Sequence, residues 1–191
     1  MRTLAITQNI TVDGSIEMLG DWFDPQGFDS EGHGGVDTSD LLEQLHREDR
    51  EADGFLVGRR TFEDLRGYWP KQSDDTTGIT AYLDQVQKYV VSSTMTQPDW
   101  QNSTILSGDP IEEVRALKEE PGRDIVVTGS ITLCHALIEA GLVDQYRLFV
   151  YPAVQGRGRR LFPDGFEVPE LKLLDAKAFR CGVTYSRYAS V

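Results

Sequence analysis

Three short stretches carry residue types suited to holding an anion: Gly58-Arg59-Arg60-Thr61, Ser92-Ser93-Thr94 and Thr128-Gly129-Ser130. Arginine presents a planar fork of N–H donors that matches a phosphate, hydroxyls complete the oxygen shell, and glycine lets the backbone approach a ligand. The setting makes the arginine pair stand out, because the 191-residue chain has 19 Lys+Arg against 31 Asp+Glu, a net charge of -12. Such a charge is repelled by nucleic acid and by anionic membrane, so an anionic ligand needs a local basic site and is expected to be a small molecule. Without a ligand, the same arginines would be solvated charge at a helix start.

The elements that must position these residues alternate. "TLAITQNIT" (3–11) is a β-branched run ending at the turn signal Asp13-Gly14, and "GFLVG" (54–58), "YVVSS" (89–93), "STIL" (103–106), "DIVVT" (124–128) and "QYRLFVY" (145–151) read as further short strands. Helices are expected from Thr38, where Leu41, Leu42, Leu45 and Ala52 fall near helical spacing, and from Thr61, where Thr61 and Asp64 form a cap-like pair. A third begins at Asp109 as N-cap, with Pro110 first in the helix and Glu112 closing the box. A fourth opens at Gly129-Ser130, carries Leu133, Ala136, Leu137 and Ala140 on one face, and ends at Gly141. "LKLLDAKAF" and "VTYSRYAS" form a terminal hairpin around Cys181-Gly182. Strand-helix alternation gives a parallel sheet covered on both faces, so the expected class is a three-layer α/β/α domain, residues 1–191, with a mixed, mostly parallel sheet and a C-terminal antiparallel hairpin.

Other chemistries find little support. Cys134 and Cys181 are not in a CxxC and are expected as free thiols, and His33, His46 and His135 lack ligand spacing, so no metal is expected. With no apolar run near the ~18 residues of a spanning helix and no signal-peptide core, a cytoplasmic location is expected. Gly20 to Asp37 holds five of the 18 glycines and reads as a long loop, either a lid or a solvated insertion. "GRGRR" (156–160) lacks the third glycine of a dinucleotide fingerprint and is open to three readings: a basic turn, a second phosphate contact or a subunit interface. In open α/β sheets, ligands collect at the carboxyl ends of parallel strands, beside helix N-termini. The three anion-suited stretches all fall there.

Taken in order, "ITVDGSIE", "FLVGRRTFEDL", "YVVSSTM" and "DIVVTGSITLCHALIEAGLVDQYRLFVYPAVQGRGRRLF" resemble the dihydrofolate-reductase-like superfamily along the whole chain. The branch they most resemble contains the C-terminal reductase domain of the bifunctional riboflavin-biosynthesis deaminase/reductase. The resemblance implies a sheet of about eight strands with NADPH across the strand ends, and a homodimer; the aromatic "YRLFVYP" strand could meet a partner, and a buried strand explains its aromatics equally well. By position it places Gly58, Arg59, Arg60 and Thr61 at the cofactor's phosphates, Ser92 and Ser93 near its adenosine phosphate, and Gly129 and Ser130 under the pyrophosphate, flanked by Thr128 and Ile131. Asn9 and Ile16 border the nicotinamide. Ser130 replaces a family glycine and can offer its N–H only if its φ is negative.

The implied activity is hydride transfer to a small heterocycle, similar to reduction of 5-amino-6-(5-phosphoribosylamino)uracil or of dihydrofolate. The chain lacks the P-C-x-x-C of a zinc deaminase, so a stand-alone reductase is expected. The substrate-binding carboxylate of dihydrofolate reductases falls at Leu42, with Asp40 and Glu43 nearby but out of register. Asp40, Glu43 and Asp13 are therefore the candidate proton donors, and each equally suits a cap, a turn or a surface charge. A nonenzymatic nucleotide- or small-ligand-binding protein on the same fold is the alternative.

Overall fold

The computed structural model describes residues 1–25, 36–168 and 170–191, so most of the stretch expected as a lid, Gly20 to Asp37, lies outside the described residues. In chain order the elements are β1 Leu4–Thr11, α1 Ser39–Glu51, β2 Ala52–Gly58, α2 Arg59–Tyr68, α3 Ile79–Gln85, β3 Gln87–Val91, β4 Ser103–Leu106, α4 Pro110–Glu119, β5 Asp124–Gly129, α5 Ile131–Glu139, β6 Gln145–Tyr151, β7 Leu171–Ala178 and β8 Thr184–Ser190. The strands form one sheet in the order β4-β3-β2-β5-β1-β6-β8-β7. Every neighbouring pair from β4 to β6 is parallel, and β8 runs antiparallel to both β6 and β7.

Chain direction explains the layers. From β1 the chain steps outward through β2, β3 and β4, then returns to insert β5 between β2 and β1 before moving on to β6. Right-handed crossovers place the helices of the outward and return journeys on opposite faces. The apolar clusters agree: Val114 and Leu117 of α4 and Leu133, Leu137 and Ile138 of α5 pack with Leu4, Ile6, Leu56, Ile125 and Val127 on one face. Phe62 of α2 and Leu83 of α3 pack on the other face with Phe55, Val57 and Val126, and Leu41 of α1 packs there with Phe149 and Tyr185.

Three local expectations change. First, β2 runs directly into α2 with Gly58 as N-cap and no side-chain cap, so Arg59 and Arg60 form the first turn and Thr61 lies inside the helix rather than capping it. Second, α4 has its Asp109 cap, which accepts from the Ile111 and Glu112 amides at 2.9 and 3.1 Å, but Glu113 rather than Glu112 reaches back, accepting from Gly108 N at 3.1 Å. Third, the β6 aromatics do not face outward. Tyr146, Phe149 and Tyr151 are 2%, 1% and 8% exposed, because β6 is an interior strand between β1 and β8. They give no support to a partner surface.

The segment leaving β1 is fastened by the stretch "GRGRR". Gln155 is the centre of this clasp: its Oε1 accepts from Leu19 N at 3.2 Å and Trp22 Nε1 at 2.8 Å, and its Nε2 lies 2.7 Å from Ser15 Oγ, 2.9 Å from Arg157 O and 3.1 Å from Glu17 O. Arg159 donates through its backbone N and Nε to Glu17, both at 2.7 Å. Gly158, at φ +102, lies so close to Ser15 that a Cβ there would be 2.4 Å from its Oγ, which accounts for the glycine. The motif works as a structural turn.

Truncating Gln155→Ala leaves the buried Ser15 hydroxyl and the Trp22 indole without this partner and is expected to lower stability by roughly 1–3 kcal/mol with an unchanged circular dichroism spectrum. Amide exchange at Leu19 and indole exchange at Trp22, followed by NMR, should speed up at least about tenfold, while Val127 in β5 keeps its protection. Wild-type exchange at both protons would show that the fastening lies elsewhere.

Candidate functional site

The ends of β2 and β5 meet with almost no space between them. A Cβ built on Gly58 would lie 2.5 Å from Ser130 Oγ, and one on Gly129, at φ +157, would lie 2.8 Å from Thr61 Oγ1. Glycine is needed at both positions for the two strand-to-helix junctions to stand side by side. The β2–β5 register shifts by one residue, Leu56 facing Val127 but Val57 facing Gly129, so Thr128 is an extra residue in β5. Its carbonyl accepts from Gln8 Nε2 of β1 at 2.7 Å. Ser130 has φ -72 and ψ 164, the negative φ that an L-residue needs in place of the glycine, and neither α2 nor α5 has a side-chain cap. Their first-turn N–H groups therefore remain available to an anion.

Two hollows flank this junction. One, about 470 Å³, is lined by Arg59, Val91, Ser92, Ser93, Thr94, Leu106, Gly108 and Pro110. Arg59 is exposed and pairs with Glu63 one turn on at 3.0 Å, an exposed pair of little net strength that a phosphate could displace. Ser92 is largely occupied, its Oγ accepting from Met95 N at 2.9 Å, which leaves Ser93 and Thr94 as free hydroxyl wall. Arg60 is exposed and has no side-chain partner among the described residues.

The second hollow, about 370 Å³, opens on the other sheet face between the clusters around Phe62 and Leu41. Aromatic and aliphatic side chains form its walls, including Phe23, Phe55, Trp69, Tyr82 and Phe149, while Thr7, Asn9, Thr61 and Thr128 supply neutral polar groups. Two carboxylates of α1, Glu48 and Asp49, complete it. Glu48 is only 5% exposed, and burial raises its pKa against the opposing effects of Tyr185, Arg147, Gln44 and Thr7. Its Oε2 accepts from Thr7 Oγ1 at 3.3 Å. Asp49 makes no hydrogen bond or ion pair among the described residues, and burial pushes its pKa up to about 6, with neighbouring Glu48 adding to the rise. A carboxyl group protonated near neutral pH can donate a proton.

The candidate acids read from the sequence lie elsewhere. Asp13 sits in the turn after β1, where hydrogen bonds from Thr11 Oγ1, Gly156 N and Gln155 N hold its pKa at about 2. Asp40 accepts from Arg180 N at 3.1 Å and ties α1 to the β7–β8 turn. Glu43 is on the exposed side of α1. At ~100° per residue, Asp40 and Glu43 project well away from Leu45, Glu48 and Asp49, which share one face. The missed signal was a charge on an apolar stripe: Glu48 follows Leu41 and Leu45 at helical spacing. Of the remaining sequence-derived residues, Asn9, Thr61 and Thr128 line the apolar hollow, whereas Ile16 is buried in the core with Leu161 and Ile131 packs against that core from the start of α5.

Comparison with known proteins matches this architecture to a family. The chain is similar to YyaP, an uncharacterized protein of Bacillus subtilis (strain 168), at 34% identity over 196 residues covering 98% of this chain and 94% of the relative. Among solved structures, a pyrimidine reductase-like protein of Corynebacterium diphtheriae NCTC shares the fold with a TM-score of 0.65 at 16% identity, over 100% of this chain and 92% of that one. Acinetobacter baumannii RibD does so with a TM-score of 0.67 at 15% identity, over 100% of this chain but 58% of that one. The family model for the RibD C-terminal domain matches residues 2–185, and the chain belongs to that family.

Proposed function

We propose that this protein is a reductase that uses NADPH to reduce a small nitrogen heterocycle. The observation that carries the reading is the single strand-end junction where two uncapped helix N-termini, an exposed Arg59 and a hydroxyl-lined hollow adjoin an apolar cavity. The residues present fit a dinucleotide: Gly58 and Gly129 carry no Cβ, and the Ser130 and Thr61 hydroxyls pack directly against them at the junction. Gly58 to Thr61 and Thr128 to Ile131 would hold the pyrophosphate, and Arg59, Ser93 and Thr94 the further phosphate of NADPH. When bound, the nicotinamide supplies a hydride. The apolar walls exclude water from the reacting bond, and Asn9 and Thr128 on the sheet floor, with Thr61 on α2, orient the substrate. Asp49 holds a proton at its carboxyl group and delivers it to the heteroatom of the C=N or C=O bond being reduced.

Fluorescence titration of the purified protein should show tighter binding of NADPH than of NADH. The combined Arg59→Ala, Arg60→Ala variant should weaken NADPH binding at least about tenfold, the loss of charge-assisted hydrogen bonds worth about 1.5–3 kcal/mol, and change NADH binding far less. An unchanged NADPH dissociation constant would remove these arginines from the cofactor site. Retained binding without any substrate-dependent oxidation of NADPH would instead mark a binding protein without chemistry.

The acid makes a separate claim. The protonated fraction of Asp49 falls as pH rises through about 6, so kcat/KM should decline above that value. In Asp49→Asn the rate should drop by roughly 10²–10⁴, the usual contribution of a positioned acid, and the limb near pH 6 should vanish. A limb that persists in this variant assigns the proton to another donor.

A further inference from the structure

His46 stands one turn before Asp49 on α1 without lining the apolar hollow itself. Its Nε2 lies 2.7 Å from the Thr77 carbonyl oxygen. A carbonyl only accepts, so Nε2 keeps its hydrogen whether the ring is neutral or charged, and Nδ1 is the nitrogen that gains or loses a proton. The loop leaves the ring little room: Gly78 follows Thr77 at φ +79, and a Cβ there would lie 3.2 Å from Nε2. Asp75 holds the loop in turn, accepting from Thr77 N and Thr80 N, both at 2.8 Å. The imidazole is thus anchored between α1 and the loop that opens α3. Both helices supply walls of the hollow, Leu45, Glu48 and Asp49 from α1 and Ile79, Tyr82 and Leu83 from α3.

Anchoring at Nε2 leaves Nδ1 with no hydrogen-bond partner among the described residues. Helical side chains lean toward the N-terminus, so Asp49, three residues on, leans back toward His46, with Cβ atoms about 5–6 Å apart. Positive charge on the imidazole favours the ionised carboxylate there, opposing the effects of burial and of Glu48. The other groups that bear on Asp49 are Arg50 on its own helix and Tyr82, which faces it from α3 and is itself acted on by Arg147 of β6 and Asp53 of β2. Histidine is the residue type in this set that ordinarily changes charge near neutral pH.

We propose that His46 is the proton partner of Asp49, a positioning residue that steadies the ionised carboxylate after Asp49 gives up its proton and returns a proton to it from Nδ1. Asp49 loses one proton to the heteroatom being reduced, the Nδ1 proton of the imidazolium moves to the carboxylate, and the half-buried imidazole takes one proton from water. The bond from Nε2 to Thr77 keeps the ring in place throughout. The use of the proton rests on the reductase reading, whereas the pairing of the two groups does not.

The test follows the Asp49 side-chain carboxyl by carbon NMR in the full chain, between about pH 4 and 8, with no ligand present. His46→Gln can still donate to the Thr77 carbonyl but carries no charge, and Asp49 should then titrate at least about 0.5 above its wild-type midpoint. His46→Arg carries a permanent charge and should move that midpoint below wild type. Circular dichroism checks that each variant is folded, and either one decides the matter if the other is not. An unchanged midpoint in a folded variant, or a rise in both, overturns the proposal and reduces His46 to a structural tie between α1 and α3. No cofactor or substrate takes part, so such a result leaves the reductase reading standing, and failure of NADPH to bind or be oxidised leaves the titration readable.

Discussion

Gly58 and Ser130 stand so close that one methyl group on Gly58 would come within 2.5 Å of the serine hydroxyl oxygen, and much of the site follows from that approach. Two parallel strands normally diverge into their helices with side chains between them. Here the absence of Cβ atoms at Gly58 and Gly129 brings the start of α2 against the end of β5, so two helix N-termini serve one place. The extra residue in β5 adds to this: the register shift that leaves Thr128 unmatched with β2 places it at the wall of the apolar hollow, with its carbonyl held by Gln8. The junction therefore depends on packing between strands that are buried on both faces, with the Ser130 and Thr61 hydroxyls against the bare glycines.

A second constraint is the placement of acids on α1. An amphipathic helix normally keeps charge off the face it buries, yet Glu48 occupies that face with Leu41 and Gln44. Burial disfavours its ionised form, and Arg147 beyond it partly offsets that effect. The arrangement extends outward from the cavity: Thr7 and Gln44 donate to Glu48, and Lys177 in turn donates to Gln44. Glu48 thus joins the wall of the cavity to a buried polar network that runs through Gln44 and Arg147.

Much of the fold was legible because its signals are local. The strands are short β-branched runs between turn residues, and the cap of α4 is written in Asp109-Pro110. α3 was not legible: it has seven residues, and Asp75 organises its start from outside by accepting from Thr80 N. The anion-suited residues were picked out by type, as glycine, arginine and hydroxyls in one stretch. Their mutual contact was not, because Gly58 and Ser130 are far apart in sequence and only the insertion of β5 beside β2 joins them. The acids that line the apolar hollow were missed for a different reason. Counting residues from a related pattern pointed to Leu42, whereas the physical question was which acid shares a helical face with the buried leucines, and that question selects Glu48. The role of "GRGRR" also needed the fold, since its partners Ser15 and Glu17 belong to the segment after β1.

The two hollows differ in charge, and one helical turn divides them. Arg59 opens α2 and lines the hydroxyl-rich side, while Thr61, two residues later, lines the apolar side. At ~100° per residue they project in nearly opposite directions, so a single turn of helix separates a basic, polar hollow from an acidic, apolar one. Placing Arg59 and Arg60 together in the first turn of α2 concentrates positive charge at one point of an acidic protein. Elsewhere on its surface they would be diluted by 31 acids, but here they lie at the N-terminus of α2, whose positive dipole end adds to their pull on an anion.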